Sequence, residues 1–331
     1  MSLIARLTGA TFLVAAAFPA HADTWRLSSM MTPDSFEGMA YQKFADLVEE
    51  YTEGEIDVRI YPNEQIGSMD SVVEQLSQGV IQLAPSAVSF MSRWEPSITY
   101  AGAPFLFDGY DHWSSFINGP LFSSWMETVT AESNISILGE IPDMPRGSFR
   151  TLLTDTPIES AADIEGLKIR QFQNDLVIDA WTHLGAEVRV LPWGEVYDGI
   201  NRGIVDAVTA PAESIESMRF YEVAPYIVRT DEYPQAVAWM MNDAAWNALT
   251  PELQDAMTRA HQDAAAYARE LLAEASATLQ TDLESKDGVT VNFDFDASSL
   301  VTKMQTFYME RDAEGELPEG LMSAVDAARA E

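Results

Sequence analysis

Arg146, Arg150, Lys168 and Arg170 crowd into one 25-residue stretch of a chain with only 19 Lys and Arg against 52 Asp and Glu. A guanidinium in such acidic surroundings suits one task above others. Its planar fork holds a carboxylate through two parallel hydrogen bonds. In the run Leu167-Lys168-Ile169-Arg170-Gln171-Phe172, strand alternation sets Lys168 and Arg170 on one face and Leu167 and Ile169 on the other. An arginine near the carboxyl end of such a strand reaches the crevice where α/β sheets take their ligands. Arg170 is therefore read as a carboxylate anchor. For Arg146 and Lys168 the expected use is an ion pair with one of the many acids, and Arg150 fits either role. Trp193, directly after Pro192 at a strand end, is either core or a wall of the crevice. Ser86 and Ser89, just beyond a corresponding earlier strand, are candidate hydrogen-bond donors from the opposite wall, and Tyr233 joins them.

Residue sets for bond-making chemistry do not emerge. The sequence holds no His-Glu-x-x-His pair, no Gly-x-Ser-x-Gly elbow, no P-loop and no dinucleotide glycine pattern after a strand. Its four histidines, His21, His112, His183 and His261, stand far apart, and cysteine is absent, which excludes thiolate metal sites and cysteine catalysis. The expectation is binding of a small acid, with no cofactor, no metal and no catalytic residue.

The elements that must position these residues are written twice. Residues 24–85 read strand (Trp25–Met30), helix (Phe36–Tyr51), strand (Ile56–Pro62), helix (Ser71–Ser77), Gly79 and strand (Val80–Ala84), ending at Pro85. Residues 167–211 repeat that order: strand (Leu167–Phe172), helix (Asp175–Leu184), strand (Glu187–Pro192), helix (Glu195–Asn201), Gly203 and strand (Ile204–Thr209), ending at Pro211. The helices rest on spacing: Phe44, Leu47, Val48, Tyr51 and Val177, Ala180, Trp181, Leu184 both fall at i, i+3, i+4, i+7. Two β-α-β-α-β units predict two sheets with helices on both faces and a ligand in the crevice between them. One large sheet with similar halves stays open as the alternative.

Between the units the sequence predicts an aromatic helix over Tyr110–Trp125 and a strand over Ile135–Glu140. After them, Ala236–Asn242 reads as an apolar strand returning the chain to the first domain. Pro251–Ser285 then reads as one helix, with Pro251 suited to its first position. At 1.5 Å per residue it spans about 50 Å, enough to lie across both domains. At the amino terminus, Arg6, the apolar stretch Phe12–Phe18 and Ala20-His21-Ala22 fit a cleaved export signal over residues 1–22. The net charge of −33 argues against nucleic acid and anionic membrane surfaces as partners, because both demand a basic face.

In these pieces the chain resembles the DctP-type solute-binding proteins of tripartite ATP-independent periplasmic (TRAP) transporters. The carriers of the resemblance are Lys43-Phe-Ala-Asp-Leu-Val48, Tyr51-Thr-Glu-Gly54, Tyr61-Pro-Asn-Glu-Gln-Ile-Gly67 and Gln78-Gly-Val-Ile81. Further on come Ala103-Pro-Phe-Leu-Phe107, Asp163-Ile-Glu-Gly-Leu-Lys-Ile-Arg170, Glu195-Val-Tyr197 and Gly203-Ile-Val-Asp206. The resemblance implies a two-domain, type II-like periplasmic-binding-protein α/β fold: two mixed, mostly parallel sheets joined by a hinge, with a long helix bracing both. Domain I would comprise residues 23–147 plus about 236–270, and domain II residues 148–235 plus about 271–331. The family implies that Arg170 anchors a ligand carboxylate, that Arg150 assists, and that Trp193 packs on the ligand body. It also implies a periplasmic monomer that closes on a small organic acid and hands it to the transporter's small and large membrane subunits. A ligand-presenting sensor and a secreted enzyme on the same scaffold are the rival readings. One departure stands out: where the family reads Gly-x-Glu-Asn-Pro, this chain reads Ala207-Val-Thr-Ala-Pro211. Ala210 replaces an asparagine that often touches ligand, which leans the expectation away from sugar acids toward a less polar acid.

Overall fold

The computed structural model describes residues 22–329, so the export signal expected over residues 1–22 lies, apart from Ala22, outside the described residues. Four strands open the chain: β1 (Asp23–Ser28), β2 (Ile56–Tyr61), β3 (Leu83–Ser86) and β4 (Ile135–Ile137). Five follow: β5 (Arg150–Thr154), β6 (Lys168–Gln171), β7 (Glu187–Val190), β8 (Ala207–Pro211) and β9 (Tyr226–Arg229). Then β10 (Ala238–Asn242) returns to the first group and β11 (Thr290–Asn292) to the second. Two sheets result, ordered β2-β1-β3-β10-β4 and β11-β9-β5-β8-β6-β7.

The written echo is a structural one. In each unit the first strand sits between the other two, all parallel: β1 between β2 and β3, β6 between β7 and β8. An antiparallel strand from outside the unit completes each triplet, β10 against β3 and β5 against β8. Between the lobes two extended segments of the chain run side by side, joined at an isolated bridge between Pro145 and Ala236. Arg146 N donates to Gln235 O (2.8 Å), Val237 N to Met144 O (2.8 Å) and Thr230 N to Arg150 O (3.0 Å).

Helices α1 (Phe36–Tyr51), α2 (Met69–Ser77), α3 (Tyr110–Ile117) and α4 (Pro120–Ser133) accompany the first sheet. Ser35 caps α1 by accepting from Gly38 N. The single helix expected over Tyr110–Trp125 is two, because Pro120 lacks the N–H that a helix interior needs and instead starts α4. Helices α5 (Asp175–His183), α6 (Val196–Asn201) and α7 (Ser214–Ser217) accompany the second sheet. The third strand of each unit starts about three residues later than expected, for one reason. Gly79 and Gly203 have φ of 73° and 68°, and Val80 N and Ile204 N bond back to Gln75 O and Gly199 O (both 2.9 Å). Those residues belong to helix caps rather than strands.

After the short α8 (Asp243–Asn247) comes α9 (Pro251–Glu284), a 34-residue helix capped by Thr250, whose side chain accepts from Leu253 N. Its amino-terminal half buries Met257, Ala260, Ala264 and Ala268 against α1, while Leu279 and Leu283 join the core of the second lobe. It therefore braces both lobes. The last helices, α10 (Ser298–Glu314) and α11 (Leu321–Ala328), were not read from sequence. Helix α10 packs on α5, but α11 seats on α3, where His112 Nε2 lies 2.8 Å from Val325 O. Leu321 and Val325 are buried there in an apolar cluster that holds Trp113 and Phe116 and continues to Ile169 and Trp181 of the second lobe.

Candidate functional site

The carboxyl ends of β6 and β8, the crossing strands and the loop after β3 converge on a cavity of about 130 Å³ between the lobes. Arg170 projects from β6 into it and is only 5 % exposed. Its Nε donates to Leu191 O (2.8 Å), and its Cζ lies 5.4 Å from the Trp193 ring centroid. These contacts aim the rest of the guanidinium at the cavity, and no carboxylate among the described residues comes within 4.0 Å of it. Burial pushes its pKa down to about 10. Arg150 adds to the fall, and Tyr233, Glu64 and Asp70 work against it. A buried cation held without a counter-charge is a standing invitation to an anion.

The other two arginines at the cavity are spent. Arg146 makes both bonds of a fork with Glu37, Nε to Oε1 and Nη2 to Oε2, each 2.9 Å. Burial opposes its charge, but the facing Glu37 carboxylate outweighs that and holds its pKa above the ordinary value. Arg150 sits 3.5 Å from the fully buried Glu232 carboxylate and donates to Thr209 Oγ1 (3.1 Å) and Gln235 Oε1 (3.4 Å). Its Cζ lies 4.5 Å from the Tyr233 ring centroid, so this arginine pairs and lines the cavity at once. Lys168, half exposed, is 3.6 Å from Asp206 and stays outside.

Trp193 and Tyr233 both line the cavity. Trp193 packs edge-on against Phe220 (5.1 Å), and its buried Nε1 has no partner. Three expectations are corrected. Ser86 does not line the cavity: it lies fully buried in β3 opposite Ala238, its hydroxyl unpartnered. Ala87 and Phe90 take that wall. Ser89 lies in the short 3-10 turn Val88–Met91 and faces a neighbouring cleft with Thr99 and Asn174. Ala210 points the other way from the cavity, into the core with Leu153, Val208 and Ala212, while Thr209 and Pro211 line it. Alternation along β8 enforces that division, and the lean to a less polar acid cannot rest on Ala210.

Several lining residues gave no sequence signal. Met30, Met31, Phe90 and Phe172 form an apolar side, and Phe90 and Phe172 meet across the lobes at 5.7 Å. Glu64 and Asp70 stand at the rim, where burial raises the pKa of each carboxyl while nearby Arg170 lowers it. Glu64 also accepts from Gly194 N across the cleft (3.0 Å), and Thr99 Oγ1 donates to Asn174 Oδ1 (2.8 Å). The two walls thus touch around the cavity.

Residues 27–312 match the profile of the family described as bacterial extracellular solute-binding protein, family 7 (DctP). A solute-binding protein of Chromohalobacter salexigens is 29% identical over 305 residues, covering 92% of this chain and 89% of that one. The C4-dicarboxylate-binding periplasmic protein DctP of Rhodobacter capsulatus is 26% identical over 271 residues, 80% of each. Among solved structures, a TRAP periplasmic solute-binding protein of Chromohalobacter salexigens with bound D-glucuronate superimposes with a TM-score of 0.82 at 28% identity. It covers 92% of this chain and 99% of that one. Profile, sequence and fold agree over nearly the whole described length: the chain belongs to the family 7 solute-binding proteins, the DctP-type proteins of TRAP transporters.

Proposed function

We propose that this protein captures a small carboxylate between its lobes, with Arg170 as the anchor, and delivers it in the closed form to TRAP membrane subunits. The observation that carries the reading is the buried, unpaired guanidinium of Arg170 at the mouth of an interlobe cavity. A carboxylate accepting two charge-assisted bonds there replaces the water lost on burial. Arg150 steadies the site from its pair with Glu232, Trp193 forms one wall of the ligand body's berth, and Tyr233 packs beneath Arg150.

Closure needs contacts from both walls, because only differential affinity shifts a two-state equilibrium. The Glu64–Gly194 and Thr99–Asn174 bonds are such contacts, made only when the lobes meet. The lobes that move would be residues 23–147 with about 236–270, and 148–235 with most of the remainder; the crossing strands act as hinge. Two of the relatives, whose names print a C4-dicarboxylate and D-glucuronate, have ligands of different size that share a carboxylate. A relative named as periplasmic supports the periplasm as the compartment, and no described helix is long and apolar enough to cross a membrane. In the periplasm the protein would work as a monomer.

The test is Arg170→Ala in titration calorimetry with the tightest acid found by thermal-shift screening. Loss of the anchor leaves a carboxylate buried unpaired and weakens binding by about 2–5 kcal/mol. Binding within threefold of the parent would refute the assignment.

A further inference from the structure

Resting on that reading of Arg170, we propose that the site takes a monoanion: one carboxylate on an apolar, ring-sized or branched body, in preference to dicarboxylates and polyhydroxy acids. Charge balance is the first ground. Three arginines border the cavity, but Arg146 is matched by Glu37 and Arg150 by Glu232, both carboxylates fully buried. Of the three, Arg170 alone has no carboxylate within 4.0 Å among the described residues, so one ligand carboxylate finds a free guanidinium in the closed site. A second carboxylate would be buried without a partner, the costliest arrangement available to a ligand. At the rim it would also face Glu64 and Asp70, whose like charge repels it.

The second ground is the lining. The apolar lining includes Met30, Met31, Met69, Phe90, Phe172 and Trp193, the last beside Arg170. The three glutamines of the lining are already engaged, which leaves Ser68, Ser214 and Tyr233 to meet ligand hydroxyl groups. Gln171 Nε2 donates to Thr209 Oγ1 (3.4 Å), Gln235 accepts from Arg150 (3.4 Å) and Gln173 Nε2 donates to Asp175 (3.3 Å). Each hydroxyl laid against the methionine and phenylalanine side would lose its water without replacement. Size agrees. The cavity of about 130 Å³ is close to the apolar cavity on the order of 150 Å³ that takes up benzene.

The experiment is calorimetry on the purified protein, freed of bound ligand, with benzoate, phenylacetate, 3-methylbutanoate, succinate and D-glucuronate. At least one monocarboxylate should bind tenfold or more tighter than both succinate and glucuronate. Succinate or glucuronate binding as tightly as the best monocarboxylate overturns the proposal. The double variant Glu64→Gln with Asp70→Asn should raise succinate affinity at least threefold relative to phenylacetate; an unchanged ratio counts against the rim argument and hence the proposal. Arg170→Ala separates the two levels of inference. If it abolishes binding while succinate is preferred, only the monoanion preference fails. If the panel still binds the variant, or no acid binds the parent, carboxylate capture itself falls.

Discussion

At the scale of single residues, Arg170 is a stored cost. Burial lowers its pKa to about 10, which means the empty protein disfavours the charged form that it nevertheless carries near neutrality. A base whose folded pKa lies below its unfolded value destabilises the fold while charged. That penalty is full below about pH 10 and fades as pH rises above it. Arg170→Met should therefore raise the melting temperature of the unliganded protein at pH 7, by about 1–2 kcal/mol of stability after the lost bond to Leu191 O is counted. The same variant should bind no acid, and its advantage should shrink above pH 10. A lower melting point for the methionine variant at pH 7 would show that the charge is not uncompensated. Arg170 was legible because cations are scarce here and strand alternation set its side. Ser86 and Ala210 were not, because β3 and β8 are buried on both faces, and a continuous apolar run carries no phase. The Arg150–Glu232 pair joins residues 82 positions apart through the β5–β9 pairing, a distance across which spacing says nothing.

At the scale of elements, the two units were legible as an order of strands and helices along the chain, while their edges and the order of strands across each sheet were not. Local capping geometry at Gly79 and Gly203 moved both third strands, and Pro120 split an aromatic helix whose apolar spacing runs on unbroken. The strands β5, β9 and β11 are short and lack a clean alternating pattern, so they surface only when sheet partners are known. The long helix was plain from composition, and its seat on the first lobe follows from a stripe of small residues. Ala260, Ala264 and Ala268 recur every four residues, all buried against the Phe44 and Val48 face of α1. Alanine there lets the two helices approach closely. Ala264→Leu should overpack that seam and destabilise the protein by about 1–3 kcal/mol, read as a fall in thermal midpoint. A midpoint unchanged within one degree would mean that α9 floats above α1 rather than interlocking with it.

At the scale of the whole molecule, a net charge of −33 confronts a protein built to receive an anion. Two fields of opposite sign act on the approaching ligand. The cationic one is short-ranged, since Arg170 is buried, Arg146 and Arg150 are matched by carboxylates, and Glu64 and Asp70 guard the rim. The anionic one is spread over the surface and reaches as far as salt permits, about 8 Å at 0.15 M ionic strength and about 3 Å at 1 M. The long-range field decides encounter and the short-range field decides retention. Association of a small acid should therefore speed up as salt is added, the reverse of the usual steering effect, while dissociation from the closed, water-excluded site changes little. Stopped-flow tryptophan fluorescence has a natural reporter in Trp193, whose ring borders the cavity. An association rate that falls as ionic strength rises from 0.05 to 1 M would show that the arginines project beyond the rim, and that the surface charge has no hand in ligand capture.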